Sequence, residues 1–441
     1  MKYMIIILIV VLISLNCTTR LFADETASKG PKNVIFMIGD GMGLNQVVLS
    51  NYYLYGKDSV QSYQKFPVKY FMSTYHAKDS TNQITISPYN SEKAWSDFDY
   101  LKDEYTDSAP AATALATGTK TYFRAIGVDT NYNILLNLTE YFITLNKSAG
   151  VVSSVPFSHA TPAGFTVHNA NRNNYSEIAE DMVLSKLDVI IGTGHPFYNS
   201  NGEVADSAKY KFISEETFQL LKDGFNGWKL IESKQDFEKL AVNETDSRIF
   251  GIPCVNETLQ QERKIHTDSI PFDTPFNQNV PDLSTLTKVA LNRLDNNPNG
   301  FFLMIEGGAI DWACHDNQFG RMVEEVNFFN QTVEDVIKWV ETNSSWDETL
   351  LIVTGDHETG YITGPIEKDN NPNTNPVVNN GKGNIPGFRW NSDNHSNMLI
   401  PVYIMGKGSE LFHKYADEDD LIFRKYIDNT EIFHAIIELN K

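Results

Sequence analysis

Three short apolar runs, each ending on an acidic residue or on glycine, set the tightest limit on how this chain can fold. They are Asn33 to Asp40 (NVIFMIGD), Phe301 to Gly307 (FFLMIEG) and Thr349 to Asp356 (TLLIVTGD). Unbroken Ile, Val, Phe and Leu over about five positions suits a strand buried on both faces, as in a largely parallel sheet covered by helices. Further strand candidates are Val151 to Val155, Val189 to Gly192 and Val402 to Gly406. Helical patterns lie between them at Ile134 to Leu145, Ser176 to Leu187, Ser284 to Leu294 and Met322 to Thr342. The alternation predicts a three-layer α/β/α sandwich with a largely parallel central sheet. In such sheets ligands gather at the carboxyl ends of the strands, which is where Asp40, Glu306 and Asp356 fall.

At 441 residues, 41% of them hydrophobic, the chain can build a large core. A formal net charge of -20 argues against nucleic acid as a partner, since binding a phosphate backbone needs clustered Lys and Arg. An anionic substrate would then need local positive charge, which bound metal ions can supply. Residues 1–23 read as a secretory signal: Lys2, the apolar run Met4 to Leu15, then Ala23 for cleavage. The expectation is an exported protein, periplasmic or secreted, with no stable membrane span once the signal is removed; the apolar run is too short to cross a bilayer comfortably. Cys17 follows Leu15 and Asn16, a poor lipoprotein box. The mature part, 24–441, reads as one catalytic domain carrying a polar insertion at about 198–282, and Asp369 to Gly387 reads as a surface loop.

Asp356-His357 follows the third apolar run, and Asp311 and His315 lie four apart just beyond Glu306. A spacing of four places two side chains on one face of a helical turn, and a carboxylate with an imidazole suits zinc. Each pair alone is weak evidence; two pairs together with Asp40 and Glu306, all at strand ends, carry more. Ser108 precedes the alanine-rich stretch Ala111 to Ala116, closed by Gly118, and is expected to cap that helix. A helix N-terminus is also an anion site, so capping and catalysis are compatible there.

These residues also carry a family resemblance. Gly39 to Gly43 (GDGMG), Thr106 to Ala109 (TDSA), His159 to Ala163 (HATPA), Glu306 through Asp311 to His315, Gly355 to Gly360 (GDHETG) and His395-Ser396 before Ile400-Pro401-Val402 resemble the ordered motifs of alkaline phosphatases. The resemblance runs from about residue 33 to 406. It implies hydrolysis of phosphate monoesters through a phosphoserine, with two Zn2+ and one Mg2+. Asp311, His315 and His395 match the first zinc site, Asp40, Asp356 and His357 the second, and Asp40, Thr161 and Glu306 the magnesium site. Ser108 matches the nucleophile and Arg172 the guanidinium that clamps phosphate. His159 and Trp312 stand where the enterobacterial branch has Asp and Lys. The resemblance further implies small-molecule monoester substrates and a homodimer.

Rival readings are a sulfatase, a phosphodiesterase of the same superfamily and an inactive binding protein. The sulfatase frame fails because Ala112 stands where it needs Arg, and Thr161 with Glu306 speaks against a diesterase. His76, His168, His195, His266, His413 and His434 match no motif, and Cys314 reads as a packed side chain.

Overall fold

The computed structural model describes residues 30–80, 83–86, 88–264, 270–365 and 375–441. The signal segment, Cys17 and His266 lie outside them, as does part of the loop from Asp369 to Gly387. In chain order the first half contains β1 (Asn33–Gly39), α1 (Leu44–Tyr55), β2 (Val68–Ser73), a hairpin of β3 (Ala77–Ser80) and β4 (Gln83–Ile86), α2 (Ser91–Ser96), α3 (Ser108–Thr117), α4 (Leu138–Thr144), β5 (Ser148–Pro156), α5 (Ala160–Gly164), α6 (Tyr175–Leu184) and β6 (Val189–Thr193). The second half adds α7 (Glu215–Lys222), β7 (Trp228–Ile231), α8 (Lys234–Leu240), β8 (Arg248–Gly251), α9 (Leu283–Leu294), β9 (Phe301–Gly307), α10 (Ala309–His315), α11 (Phe319–Asn343), β10 (Thr349–Gly355), β11 (Glu358–Thr359), β12 (His395–Ser396), β13 (Ile400–Gly406), β14 (Glu418–Asp420), β15 (Arg424–Asp428) and α12 (Asn429–Leu439).

The three apolar runs become neighbours, β10-β1-β9, in the middle of an 11-stranded sheet ordered β14-β15-β2-β13-β10-β1-β9-β5-β6-β8-β7. From β10 to β7 every pairing is parallel, and β13 joins β10 antiparallel. Successive side chains of a strand face opposite ways, which explains why these runs are apolar throughout. Val34, Phe36 and Ile38 enter a core with α3, α5, α6 and α12, while Ile35 and Met37 enter a second core with α1, α9 and α11. Helices on both faces make the three layers expected from sequence. Among the described residues no helix is long and apolar enough to cross a membrane.

Two local expectations shift. The helix sought from Ile134 starts at Leu138, because Asn137 accepts from the Glu140 N–H at 3.0 Å while Glu140 accepts from the Asn137 N–H at 3.1 Å. That capping box fixes the start, and Ile134 instead bridges to Val128. Ser108 does not cap α3; it is the first helical residue and Asp107 holds the cap position, with its side chain drawn to other partners. Within the segment 198–282, β7 and β8 extend the main sheet at one border. Its far end is clamped to α11: Glu324 accepts from Arg263 at 2.8 Å, from Arg321 at 3.1 Å and from the Phe272 N–H at 2.7 Å, and all three charged side chains are at most 3% exposed.

Candidate active site

Asp40, Glu306 and Asp356 meet because β9, β1 and β10 run parallel in register, with Gly39 opposite both Gly307 and Gly355. The turn after β1 requires Gly41: its φ is +70°, and a Cβ there would lie 2.8 Å from both Asp311 Cα and Thr359 Oγ1. The N–H groups of Gly41 and His357 donate to Asp356 Oδ1 at 3.1 and 2.9 Å, leaving Oδ2 without a partner. On α10, one helical turn brings Asp311 Oδ2 within 3.4 Å of His315 Nε2. The β11–β12 pairing sets His395 against both: its Nε2 lies 3.4 Å from Asp311 Oδ1 and 3.0 Å from His315 Nε2.

The two imidazoles are held in one tautomer. His395 Nδ1 meets the Thr106 carbonyl at 2.7 Å and His315 Nδ1 the Asp393 carbonyl at 2.6 Å. A carbonyl only accepts, so each Nδ1 carries the proton and each Nε2 turns toward the other. Two such nitrogens 3.0 Å apart need a proton or a cation between them. His357 is stacked on His395 at 3.7 Å, and its Nε2 lies 3.3 Å from Asp40 Oδ1, 3.3 Å from Asp356 Oδ2 and 3.2 Å from Ser108 Oγ. Burial, reinforced by the neighbouring His395, holds the His357 pKa well below the usual imidazole range.

Asp40, Asp356, Glu306 and Thr161 are each fully buried, yet both Asp40 oxygens, Asp356 Oδ2, Glu306 Oε1 and Thr161 Oγ1 lack hydrogen-bond partners. Buried acceptors without donors are costly, and several in one place call for a cation. Burial, reinforced by the Asp356, Asp311 and Glu306 charges, raises the Asp40 pKa well above the carboxylate range. Burial pushes Glu306 and Asp356 up to about 7, while the Ser153 hydroxyl, donating to Glu306, pulls the other way. Asp311 differs: burial would raise it, but His315 and His395 hold it well below the usual value. Two sets have ligand atoms within 4.8 Å of one another, Asp40 with Asp356 and His357, and Asp311 with His357 and His395. His315 joins the second set from the rim. The donors, carboxylate oxygen and imidazole nitrogen, suit divalent metal ions.

Ser108 opens α3, a helix buried along its whole length, and faces a cavity of about 530 Å³. Arg172 reaches the same cavity; its guanidinium pairs with Asp107 and lies 3.0 Å from His159 Nε2. Trp312 lines the cavity edge-on to His159, ring centroids 5.7 Å apart. Every site residue named from sequence therefore falls in or beside one centre. Sequence reasoning missed the residues that aim them. Asp107 accepts from Arg172 and, at 3.1 Å, from the Arg124 N–H, and Thr359 donates to Asp311. Both lie inside the TDSA and GDHETG stretches, adjacent to residues singled out, and that adjacency was the available signal. Cys314 is buried and packed as expected.

A serine hydroxyl at a helix N-terminus, ringed by buried carboxylates and imidazoles at the carboxyl ends of a parallel sheet, defines a hydrolase of phosphate esters. The sequence pattern of the family described as alkaline phosphatase matches residues 31–419. Alkaline phosphatases 4 and 3 of Bacillus subtilis strain 168 are 31% and 30% identical to this chain over 373 and 335 residues, which span 82% and 75% of it and 69% and 61% of those proteins. The solved alkaline phosphatase of the Antarctic bacterium TAB5 superposes with a TM-score of 0.66 at 28% identity, covering 93% of this chain and 98% of that one. A variant of that enzyme was solved with magnesium in its M3 site. The chain belongs to the alkaline phosphatase family and hydrolyses phosphate monoesters.

Proposed function

We propose that hydrolysis proceeds by two displacements through a phosphoserine on Ser108. The observation that carries this reading is the position of Ser108 Oγ, at the amino end of a buried helix and 3.2 Å from His357 Nε2, in a centre where Asp40 and one oxygen each of Asp356 and Glu306 have no donor. Ser108 Oγ attacks phosphorus, the bond to the alcohol oxygen breaks, and the alcohol leaves with a proton. Water then displaces Ser108 Oγ and releases inorganic phosphate. Arg172 offers paired N–H donors to the phosphoryl oxygens, and Asp107 holds that guanidinium in place. The Ser108 N–H and the positive end of the α3 dipole add further stabilisation.

Asp311, His315 and His395 are the proposed holders of one zinc ion, Asp40, Asp356 and His357 of a second, and Asp40, Thr161 and Glu306 of a magnesium ion. Bound there, such cations supply Lewis acidity, lowering the pKa of the hydroxyl and stabilising charge on the entering and departing oxygens. His159, hydrogen-bonded to Arg172, and Trp312 shape the approach to the phosphate. A single domain over 24–441, export through residues 1–23 to the periplasm or beyond, and a homodimer complete the proposal.

Acid-quenching the protein during turnover of a nitrophenyl monoester, followed by peptide mass analysis, tests it. One phosphoryl group on the Ser108 peptide is expected, absent in Ser108→Ala together with turnover. Label on another residue, or full turnover by the variant, would refute the reading. The matching nitrophenyl diester should be the poorer substrate.

A further inference from the structure

One buried carboxylate beside the cation centre belongs to none of the proposed ligand sets. Glu358 directly follows His357 and is 2% exposed, and each of its oxygens accepts two hydrogen bonds. Oε1 accepts from Gln46 Nε2 and from the Ile362 N–H, both at 3.0 Å. Oε2 accepts from the Tyr361 N–H at 3.1 Å and from the Ser396 hydroxyl. Four donors use up what an ionised carboxylate can accept. Asp40, and one oxygen each of Asp356 and Glu306, lack donors altogether. The protein thus saturates Glu358 and leaves the others open for a cation.

Its donors come from the segments that carry the proposed metal ligands. Gln46 stands in the first turn of α1, the helix that follows Asp40 and the Gly41 turn. Ser396 is next to His395, and the β11–β12 pairing sets Glu358 opposite Ser396 and Thr359 opposite His395. Gln46 Nε2 also donates to the Thr359 carbonyl at 2.7 Å, and the Thr359 hydroxyl donates to Asp311. Glu358 therefore ties together the chain after Asp40, the strand after His357 and the strand that holds His395. The fit leaves no slack at Gly43: a Cβ there would lie 2.5 Å from Glu358 Cγ, although its φ of -79° would suit any residue. Space, rather than backbone freedom, demands glycine at that position.

We propose that Glu358 is a positioning residue for the cation centre, holding the His357 and His395 imidazoles in register across the two proposed zinc sites without touching either ion. The inference rests on the reading of these imidazoles as metal ligands and adds a residue that no ligand set includes. Groups that orient the ligands of a metal matter nearly as much as the ligands, because an imidazole turned away from the ion forfeits its bond. A buried, fully hydrogen-bonded carboxylate suits that task, since each of its bonds is charge-assisted and stronger than a neutral one. A brace serving the fold alone would raise stability without changing how tightly metal is held.

The test is competition for zinc between the folded, metal-stripped protein and a colour-forming chelator, with melting of the stripped protein as the second measurement. Glu358→Gln keeps the shape but turns an amide NH2 toward two donors. Ser396→Ala removes only the bond beside His395, and Gly43→Ala presses on Glu358 from the α1 side. Each is expected to bind zinc about 10- to 100-fold more weakly than wild type, the usual cost of losing a group that orients a ligand, with Ser396→Ala at the lower end. Glu324→Gln, at the buried arginine clamp that touches none of the ligands, should lower the melting temperature and leave zinc affinity within about twofold. Where Glu358→Gln does not fold, the other two variants at the centre decide. An equal loss of affinity in Glu324→Gln, or wild-type affinity in Ser396→Ala and Gly43→Ala, would overturn the proposal and leave Glu358 a brace of the fold. A wild type that takes up no zinc would instead sink the metal reading itself, a result distinct from a wild type and variants that hold zinc equally well.

Discussion

Replacing Glu324 with alanine leaves two buried guanidinium groups without their shared carboxylate. Arg263 and Arg321 are 3% and 1% exposed, and Glu324 also accepts from the Phe272 N–H, so the substitution removes two charge-assisted hydrogen bonds and one backbone bond at once. Breaking a buried ion pair by deleting one partner costs about 3–5 kcal/mol, because the remaining charge cannot recover its hydration. Unfolding entropy near 2.1 cal/mol/K per residue amounts to about 0.9 kcal/mol/K for this chain, so a loss of about 4 kcal/mol lowers Tm by about 4–5 °C. Glu324→Gln keeps one acceptor oxygen, enough for the two arginines or for the Phe272 N–H but not for both, and should lose about half as much. Calorimetry on wild type and both variants, at one pH and with metals in excess, reads this directly. Loss of Glu324 also frees the segment that brings Glu262 to the cavity, so KM should shift along with Tm. A fall in Tm below about 1 °C for Glu324→Ala would show that water reaches the two arginines, and would refute the argument from burial.

Stripping divalent cations with a chelator should lower Tm, since ligands that bind only the folded state stabilise it by mass action. In the stripped protein Asp40→Asn should melt above wild type, because a buried carboxyl crowded by Asp356 and Glu306 must either stay charged against them or take up a proton, costs that an amide avoids; a lower melting point would count against a cation site there. Arg172→Ala should lower kcat/KM by about a hundredfold, the usual cost of one oxyanion donor, while leaving metal content unchanged by elemental analysis. The His168 pKa is raised: burial opposes this, but Glu140 at 3.1 Å outweighs it. That pairing stabilises the fold below the ordinary imidazole pKa and fades as pH rises through the raised value. Glu140→Gln should therefore flatten the decline in Tm as pH rises above the ordinary imidazole value, checked by melts over a pH series.

What could be read from the chain depended on how local each determinant is. β1, β9 and β10 were legible because strands buried on both faces need apolar residues at every position, and β9 ends where its run ends. Trp228–Ile231 and Arg248–Gly251 were missed because they are short, and the first has exposed or half-exposed residues in its middle, so they carry no continuous run. The convergence of Asp311 and His315 follows from helical spacing, whereas His395 arrives through a two-residue strand pairing that no periodicity announces. The cap of α3 was misplaced by one residue: serine is a good cap by local rules, but Asp107 is pulled aside by Arg172, a partner 65 positions away.

The borders of the main sheet have a consequence for assembly. One is β14, three residues reading Glu-Asp-Asp, and the other is β7, four residues with Lys229 exposed. Short, charged margins offer no template on which a second chain could add a strand. Sheet-to-sheet growth, the usual route from a crowded β protein to fibrils, is closed at both ends, and contact between copies is left to loops and helices.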